Sequence, residues 1–236
     1  MIFRLNKRLG LLLCAVLAAC ALTICLLFSG KTETLASLPV SERIIVVDAG
    51  HGGMDGGAES ASGIKEKDIN LKIAKYLKSY LEQGGAKVVM TRESDISLHE
   101  NDNAAIRSRK RQDLLKRREI ANTSGADMLL SIHLNQFEQS KYKGAQVFYE
   151  TASPKSKLLA TSIQSSMREN LDKTNTRTEM KIASNKLQFQ DLNLPAVIIE
   201  CGFLSNPEEA LMLNTPEYQE KIALSIYLGV LSYYNQ

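Results

Sequence analysis

At 236 residues the chain is long enough for one α/β domain with a sizeable core, or for a short terminal segment followed by such a domain. Its formal net charge of +3 is matched by Arg4, Lys7 and Arg8, so the remainder balances near zero and excludes nucleic acid as a partner recognised through bulk charge. Three of the four cysteines (Cys14, Cys20, Cys25) lie near the N-terminus and Cys201 stands alone beyond them, which excludes an internal disulfide framework in the domain.

The first element is the run from Leu9 to Phe28, apolar or small without a single charge and preceded by Arg4, Lys7 and Arg8. About twenty such residues suffice to cross a bilayer as a helix, and the basic flank favours a cytoplasmic N-terminus. Residues 1–28 are therefore expected to be an uncleaved anchor, since no small-residue cleavage site follows Phe28. The tetrapeptide Leu17-Ala18-Ala19-Cys20 offers lipidation at Cys20 as the second reading, although the run continues apolar after it. Either way the domain is expected to be exported and held at the outer face of the cytoplasmic membrane. Residues 29–42 read as a polar tether, and residues 43–236 as the catalytic domain.

Within that domain, Arg43 to Asp48 reads as a strand apolar on both faces, suited to a sheet covered by helices. The spacing of Ile69, Ile73, Leu77 and Leu81 predicts a helix over 66–83 with Gly84-Gly85 as its stop, and a strand over 87–91 closes a βαβ unit. Residues 94–112 are polar and basic and read as a loop or surface helix, followed by a helix over 114–122 and a strand over 127–134. A strand over 145–150, a helix over 155–171 and a buried strand over 196–203 come next. Asn206-Pro207 then starts a further helix, and the last helix covers 216–234. Alternating strands and helices predict an α/β fold with a mostly parallel sheet and helices on both faces.

Four side chains stand out. His51 follows the first strand inside a glycine-rich run, Glu66 opens the first helix of the domain, His133 closes the 127–134 strand, and Glu200 ends the apolar run Val197-Ile198-Ile199. In open α/β sheets ligands collect beyond the carboxyl ends of the strands, where three of these fall and beside which the fourth begins its helix. Two imidazoles and a carboxylate suit zinc, and a second carboxylate can activate the water that such an ion binds. Each residue also has a plain structural reading. An acidic residue in a first helical turn is favoured by the helix dipole alone. A lone histidine such as His99 is an ordinary surface or core group, and Cys201 reads as a small buried thiol rather than a nucleophile. Glu200 resists the plain reading, because a carboxylate at the end of a buried strand is costly unless paired, protonated or facing a cleft.

Six motifs occur in one order: DAGHGGxDxGA, EKD at a helix start, Thr91-Arg92, Arg117 four residues before Ala121-Asn122, SIHLN and ECGFLSNPEEA. Together, from about residue 44 to residue 234, they resemble the zinc-dependent N-acetylmuramoyl-L-alanine amidases. The resemblance implies a phosphorylase/hydrolase-like three-layer fold with about six strands. It implies one zinc ion held by His51, Glu66 and His133, Glu200 as the catalytic glutamate, and Asn135, Gln190 and Arg117 as substrate-binding positions. The substrate would be peptidoglycan, cut between the lactyl group of muramic acid and L-alanine.

The chain is most similar to sporulation-type members. That likeness implies a role in spore-cortex muramic lactam formation needed for germination, placement at the cytoplasmic or forespore membrane, and an activating protein or lipoprotein partner. Two features depart from the wider family. Gln190 stands where many members carry arginine, and no long insertion is present to supply an autoinhibitory helix. The basic stretch from Arg107 to Arg118 reads equally as a solvated helix face or as a holder of anionic groups or a protein partner, with Arg117, which fits the family pattern, the member that reads as structural. Two alternatives remain open: another zinc peptidase of the cell wall, although the HxxE spacing is absent, and a non-catalytic wall-binding protein.

Overall fold

Period-two alternation along the strands decides which side chains face which layer. In β1 (Ile44–Ala49), Ile45, Val47 and Ala49 join the large core, whereas Val46 faces a smaller apolar cluster on the other side. β3 (Met128–Asn135) repeats this, with Leu130, Ile132 and Leu134 in the large core and Leu129 in the small one. β6 (Ala196–Phe203) does the same with Val197 and Ile199 against Ala196 and Ile198. The computed structural model describes residues 7–28, 38–150, 153–182 and 186–236.

The large core is covered by α2 (Glu66–Gln83), α4 (Pro154–Asn170) and α6 (Pro216–Tyr234), with the short α5 (Pro207–Leu213) beside them. The stripe Ile69, Ile73, Leu77 and Leu81 on α2 is fully buried there, and each such side chain contributes roughly 1.5–3 kcal/mol by leaving water. Asn206 caps α5 by accepting from the Glu209 amide at 3.0 Å, with Pro207 at the first helical position. On the opposite face lie α3 (Ile106–Thr123) and a 3-10 turn (Leu187–Phe189), which supply Ala121 and Phe189 to the small cluster.

Among the described residues the sheet has six strands in the order β2-β1-β3-β6-β4-β5, where β2 is Lys87–Met90, β4 is Gln146–Tyr149 and β5 is Met180–Lys181. β2, β1, β3 and β6 are parallel neighbours, as expected. β4 runs antiparallel to β6 and carries β5 parallel to itself, so the sheet is mixed rather than uniformly parallel. No helix separates β3 from β4, and a parallel return needs a crossover of a dozen or more residues, usually a helix.

The basic stretch divides between its two readings: 94–105 lie outside regular structure, whereas 106–112 are surface helix and run unbroken into the helix expected over 114–122, giving the 18-residue α3 in which Arg117 and Ala121 are the buried positions. Its remaining basic residues leave no apolar stripe to betray it in the sequence. The two-residue strand β5 carries no alternation at all and is held in place by β4.

The chain divides into two units, residues 1–37 and 38–236. The second unit begins with Val40 already fully buried in the large core. In the first, α1 (Lys7–Phe28) is a 22-residue helix whose Thr23 hydroxyl donates to the Ala19 carbonyl at 2.7 Å. Side chains of α1 are described for residues 10–11 and 15–23, and among the described residues no helix is long and apolar enough to cross a membrane. Residues 1–6 of the expected anchor and 29–37 of the expected tether lie outside the described residues.

Candidate active site

Three of the four parallel strands deliver polar groups to one edge of the sheet. Asp48 in β1, Ser131 and His133 in β3 and Glu200 in β6 share the face that α3 covers, and His133 pairs in register with Glu200. Just past β1 the chain makes a tight turn in which His51 itself has φ +62°, followed by Gly52 at +134° and Gly53 at +55°. Glycine is required at two places beside it. A side chain at Gly50 would collide with the His133 ring, and one at Gly57 (φ +70°) would lie 2.5 Å from Glu66 Oε2 and 2.8 Å from His51 Cδ2.

Glu66 is the first residue of α2 and is buried. Its Oε2 accepts from the Ala58 amide at 2.8 Å, and its Oε1 accepts from the Leu134 amide at 2.9 Å and Asn70 Nδ2 at 3.1 Å. The same carboxylate faces His51 Nε2 at 3.2 Å and His133 Nδ1 at 3.0 Å, and the two rings meet edge to face at 5.0 Å. Burial alone would raise its pKa, but the hydrogen bonds from His133 and His51 hold it far below the usual carboxylate range. For His51, burial opposes the charged form while bonds to Asp55 and Glu66 favour it, and the balance lifts the imidazole to about 9. Asp55 Oδ2 sits 2.8 Å from His51 Nδ1 and Lys110 Nζ lies 2.9 Å from Asp55 Oδ1, an outer shell that fixes which ring nitrogen faces Glu66.

One ligand atom from each of His51, Glu66 and His133 lies within 4.8 Å of the others, and among the described residues these three form the metal-capable group. His51 Nε2 lies 3.2 Å from Glu66 Oε2 and His133 Nδ1 lies 3.0 Å from Glu66 Oε1, so both rings converge on one carboxylate. Imidazole and carboxylate donors in that number and spacing fit a zinc ion.

Glu200 lines the same cleft, whose volume is about 310 Å³. Its Oε2 is buried without a hydrogen-bond partner, and burial pushes its pKa up while His133 partly opposes the shift. A carboxylate in that state is suited to exchanging protons. Beneath the cleft, Asp48 accepts from Arg117 Nη1, from Ser131 Oγ at 2.6 Å and from Thr91 Oγ1 at 2.7 Å. Burial, the largest single influence, would raise its pKa, but Arg117, His133 and the Ser131 and Thr91 hydroxyls together outweigh it and hold the carboxyl at about 2.

The structure therefore brings His51, Glu66, His133, Glu200 and Arg117 to one cleft. Asn135 and Gln190 are not among its lining residues. The Asn135 side chain accepts from the Gln136 amide at 2.8 Å, and Gln190 is exposed after the 3-10 turn, whereas Gln188, two residues earlier, reaches the cleft. Asp55, Lys110, Lys186 and Gln188 were not singled out from the sequence as lining residues. Asp55 had a usable signal, four residues after His51 in the glycine-rich run, but Lys110 is one cation among many on α3. His99 pairs with Asp102 at 2.8 Å outside the cleft, and Cys201 is buried, its thiol pushed well up by that burial.

Fold and site together define a hydrolase-type α/β domain with a histidine–carboxylate cluster able to hold a metal ion at the carboxyl edge of its sheet. Residues 45–232 match the N-acetylmuramoyl-L-alanine amidase family model, and the chain belongs to that family. It is 43% identical over 200 residues to the germination-specific N-acetylmuramoyl-L-alanine amidase of Bacillus subtilis, covering 85% of this chain and 83% of that protein. Among solved structures it is similar to the CwlD amidase of Clostridioides difficile in complex with the GerS lipoprotein. That match has TM-score 0.79 and 45% identity, covering 81% of this chain and 98% of that one. An N-acetylmuramoyl-L-alanine amidase of Clostridium difficile 630 matches with TM-score 0.70 and 32% identity, over 83% of this chain and 98% of that one. The reaction class is accordingly amide hydrolysis in peptidoglycan.

Proposed function

We propose that the chain is a zinc-dependent amidase of spore-cortex peptidoglycan, cutting between the lactyl group of muramic acid and L-alanine so that muramic lactam can form before germination. The observation that carries the zinc reading is the His51–Glu66–His133 cluster beside the unpartnered Glu200 Oε2. The cortex assignment rests on the likeness to the germination-specific relative.

His51, Glu66 and His133 would hold the ion. Zinc there supplies Lewis-acid polarisation of the scissile carbonyl and lowers the pKa of water towards neutrality. Glu200 takes a proton from the attacking water at Oε2 and passes it to the departing amine of L-alanine. Asp55 keeps the His51 ring oriented, and the Ala58 and Leu134 amides hold the Glu66 carboxylate in place.

Residues 1–28 act as an anchor, 29–42 as a tether and 43–236 as the catalytic domain, at the outer face of the cytoplasmic or forespore membrane, with lipidation at Cys20 as the alternative attachment. The uncharged run from Leu9 to Phe28 behind Arg4, Lys7 and Arg8 supports this. A lipoprotein partner is proposed from the relative solved in complex with one.

The test is the full chain in mild detergent, zinc-loaded, on cortex-derived peptidoglycan, with fragments identified by mass. Stem peptides with a free L-alanine amine are expected. Release at a different bond would favour a wall peptidase, and binding without zinc or release would favour a scaffold.

A further inference from the structure

The turn that presents His51 is held in place by charged and amide side chains that catalysis leaves unused. Every backbone carbonyl from Ala49 to Gly53 is engaged. Ala49 O accepts from Arg92 Nε and from Arg117 Nη1, each at 2.8 Å. Gly50 O accepts from Arg92 Nη2 at 3.0 Å and Asn70 Nδ2 at 3.2 Å, and His51 O accepts from Arg117 Nη2 at 2.7 Å. Gly52 O accepts from the Ser97 hydroxyl at 2.8 Å and Gly53 O from Lys67 Nζ at 2.9 Å. The donors come from separate places: Lys67 and Asn70 on α2, Arg117 on α3, and Arg92 and Ser97 after β2.

Both arginines are almost fully buried, at 2% exposure for Arg92 and 3% for Arg117. Arg92 also donates to the Lys67 and Ser94 carbonyls, and Arg117 to Asp48 and Asp113. Neither guanidinium has a donor aimed at the cleft in these bonds. His51 meanwhile occupies a left-handed backbone region that a non-glycine residue rarely adopts, and it persists only where surroundings over-determine it. A guanidinium is the group suited to this, since its rigid fork reaches two carbonyls at once and stays charged when buried.

We propose that Arg92 and Arg117 are positioning residues that clamp the His51 turn and thereby preset the metal centre. The proposal rests on the zinc reading of the site, but the clamp's bonds go to backbone carbonyls rather than to ligand atoms, so it is testable in metal-free protein as well. Catalytic contact with substrate is not asked of either arginine.

Arg92→Met and Arg117→Met are compared with Arg92→Lys, Arg117→Lys and wild type, in the full chain in detergent, with zinc affinity measured by competition against a chelating dye. Affinity should fall roughly 10- to 100-fold in the Met variants, the usual consequence of losing an outer-shell partner, with partial recovery in the Lys variants. At saturating zinc, kcat should drop while KM stays. In a His51→Ala background the Arg117→Met change should cost nothing further. Affinities within threefold of wild type, or an equal loss in the His51→Ala background, would overturn the clamp. In metal-free protein, amide exchange at residues 51–53 should accelerate in the variants while β3 stays protected, and unchanged exchange would also overturn it. If a Met variant loses β3 protection as well, it has unfolded and the Lys variants decide. A wild-type chain that binds no zinc but shows the exchange effect would defeat the zinc reading and leave the clamp standing.

Discussion

Replacing Asp48 by asparagine removes one charge from a fully buried pair while leaving the shape intact. Asp48 accepts from Arg117, Ser131 and Thr91, and an asparagine side chain there would turn at best one oxygen towards three donors. Arg117 keeps Asp113 at 2.6 Å, so its charge is not wholly abandoned. Breaking a buried pair by removing one partner costs about 3–5 kcal/mol, which for a domain of this size lowers Tm by roughly 6–20 °C. Part of that loss is electrostatic and can be isolated by pH. The carboxyl falls from 3.8 to about 2 on folding, so its ionisation contributes on the order of 2 kcal/mol at neutral pH. Because folding depresses this pKa, the contribution is complete above about pH 4 and drains away as pH falls to about 2. Urea unfolding of wild type and Asp48→Asn at pH 7, 4 and 3 should show a gap that narrows with acid. A gap under 1 kcal/mol at pH 7, or one that does not narrow, would refute the reasoning.

Glu200→Gln should lower kcat by roughly 10²- to 10⁴-fold with zinc content unchanged, since the glutamate acts on protons and not on metal; parallel loss of zinc would count against that role. Chelator dialysis should abolish stem-peptide release, and added zinc should restore it. Gly57→Ala should weaken zinc binding as well as stability, because φ +70° alone costs about 1–2 kcal/mol and the new methyl would press on Glu66 and His51; an unchanged metal affinity would show that the turn yields more freely than its packing implies. Cys201 should resist alkylation until the chain unfolds, and Cys201→Ala should keep activity, as mass mapping and turnover can establish.

Much of the fold was legible in the residues because the elements around the site are strongly patterned. Continuous apolar runs marked β1, β3 and β6, the stripe on α2 marked its buried face, and Asn206-Pro207 marked the start of α5. His51, Glu66, His133 and Glu200 were legible for a related reason: each interrupts or ends a patterned run where a structural explanation is expensive. Local sequence could not reveal what depends on distant partners. The direction of β4 was decided by the route from β3 past β6, β5 exists because β4 offers an edge, and α3 lacks an apolar stripe because little of it is buried. Arg92 and Arg117 were legible as motif positions, but the sequence did not show what they bind. Burial against a positive-φ turn gives them their work, and that depends on α3 and the chain after β2 converging on the end of β1. Cleft lining was decided the same way, since a shift of two residues along one short turn puts Gln188 at the site and Gln190 in solvent.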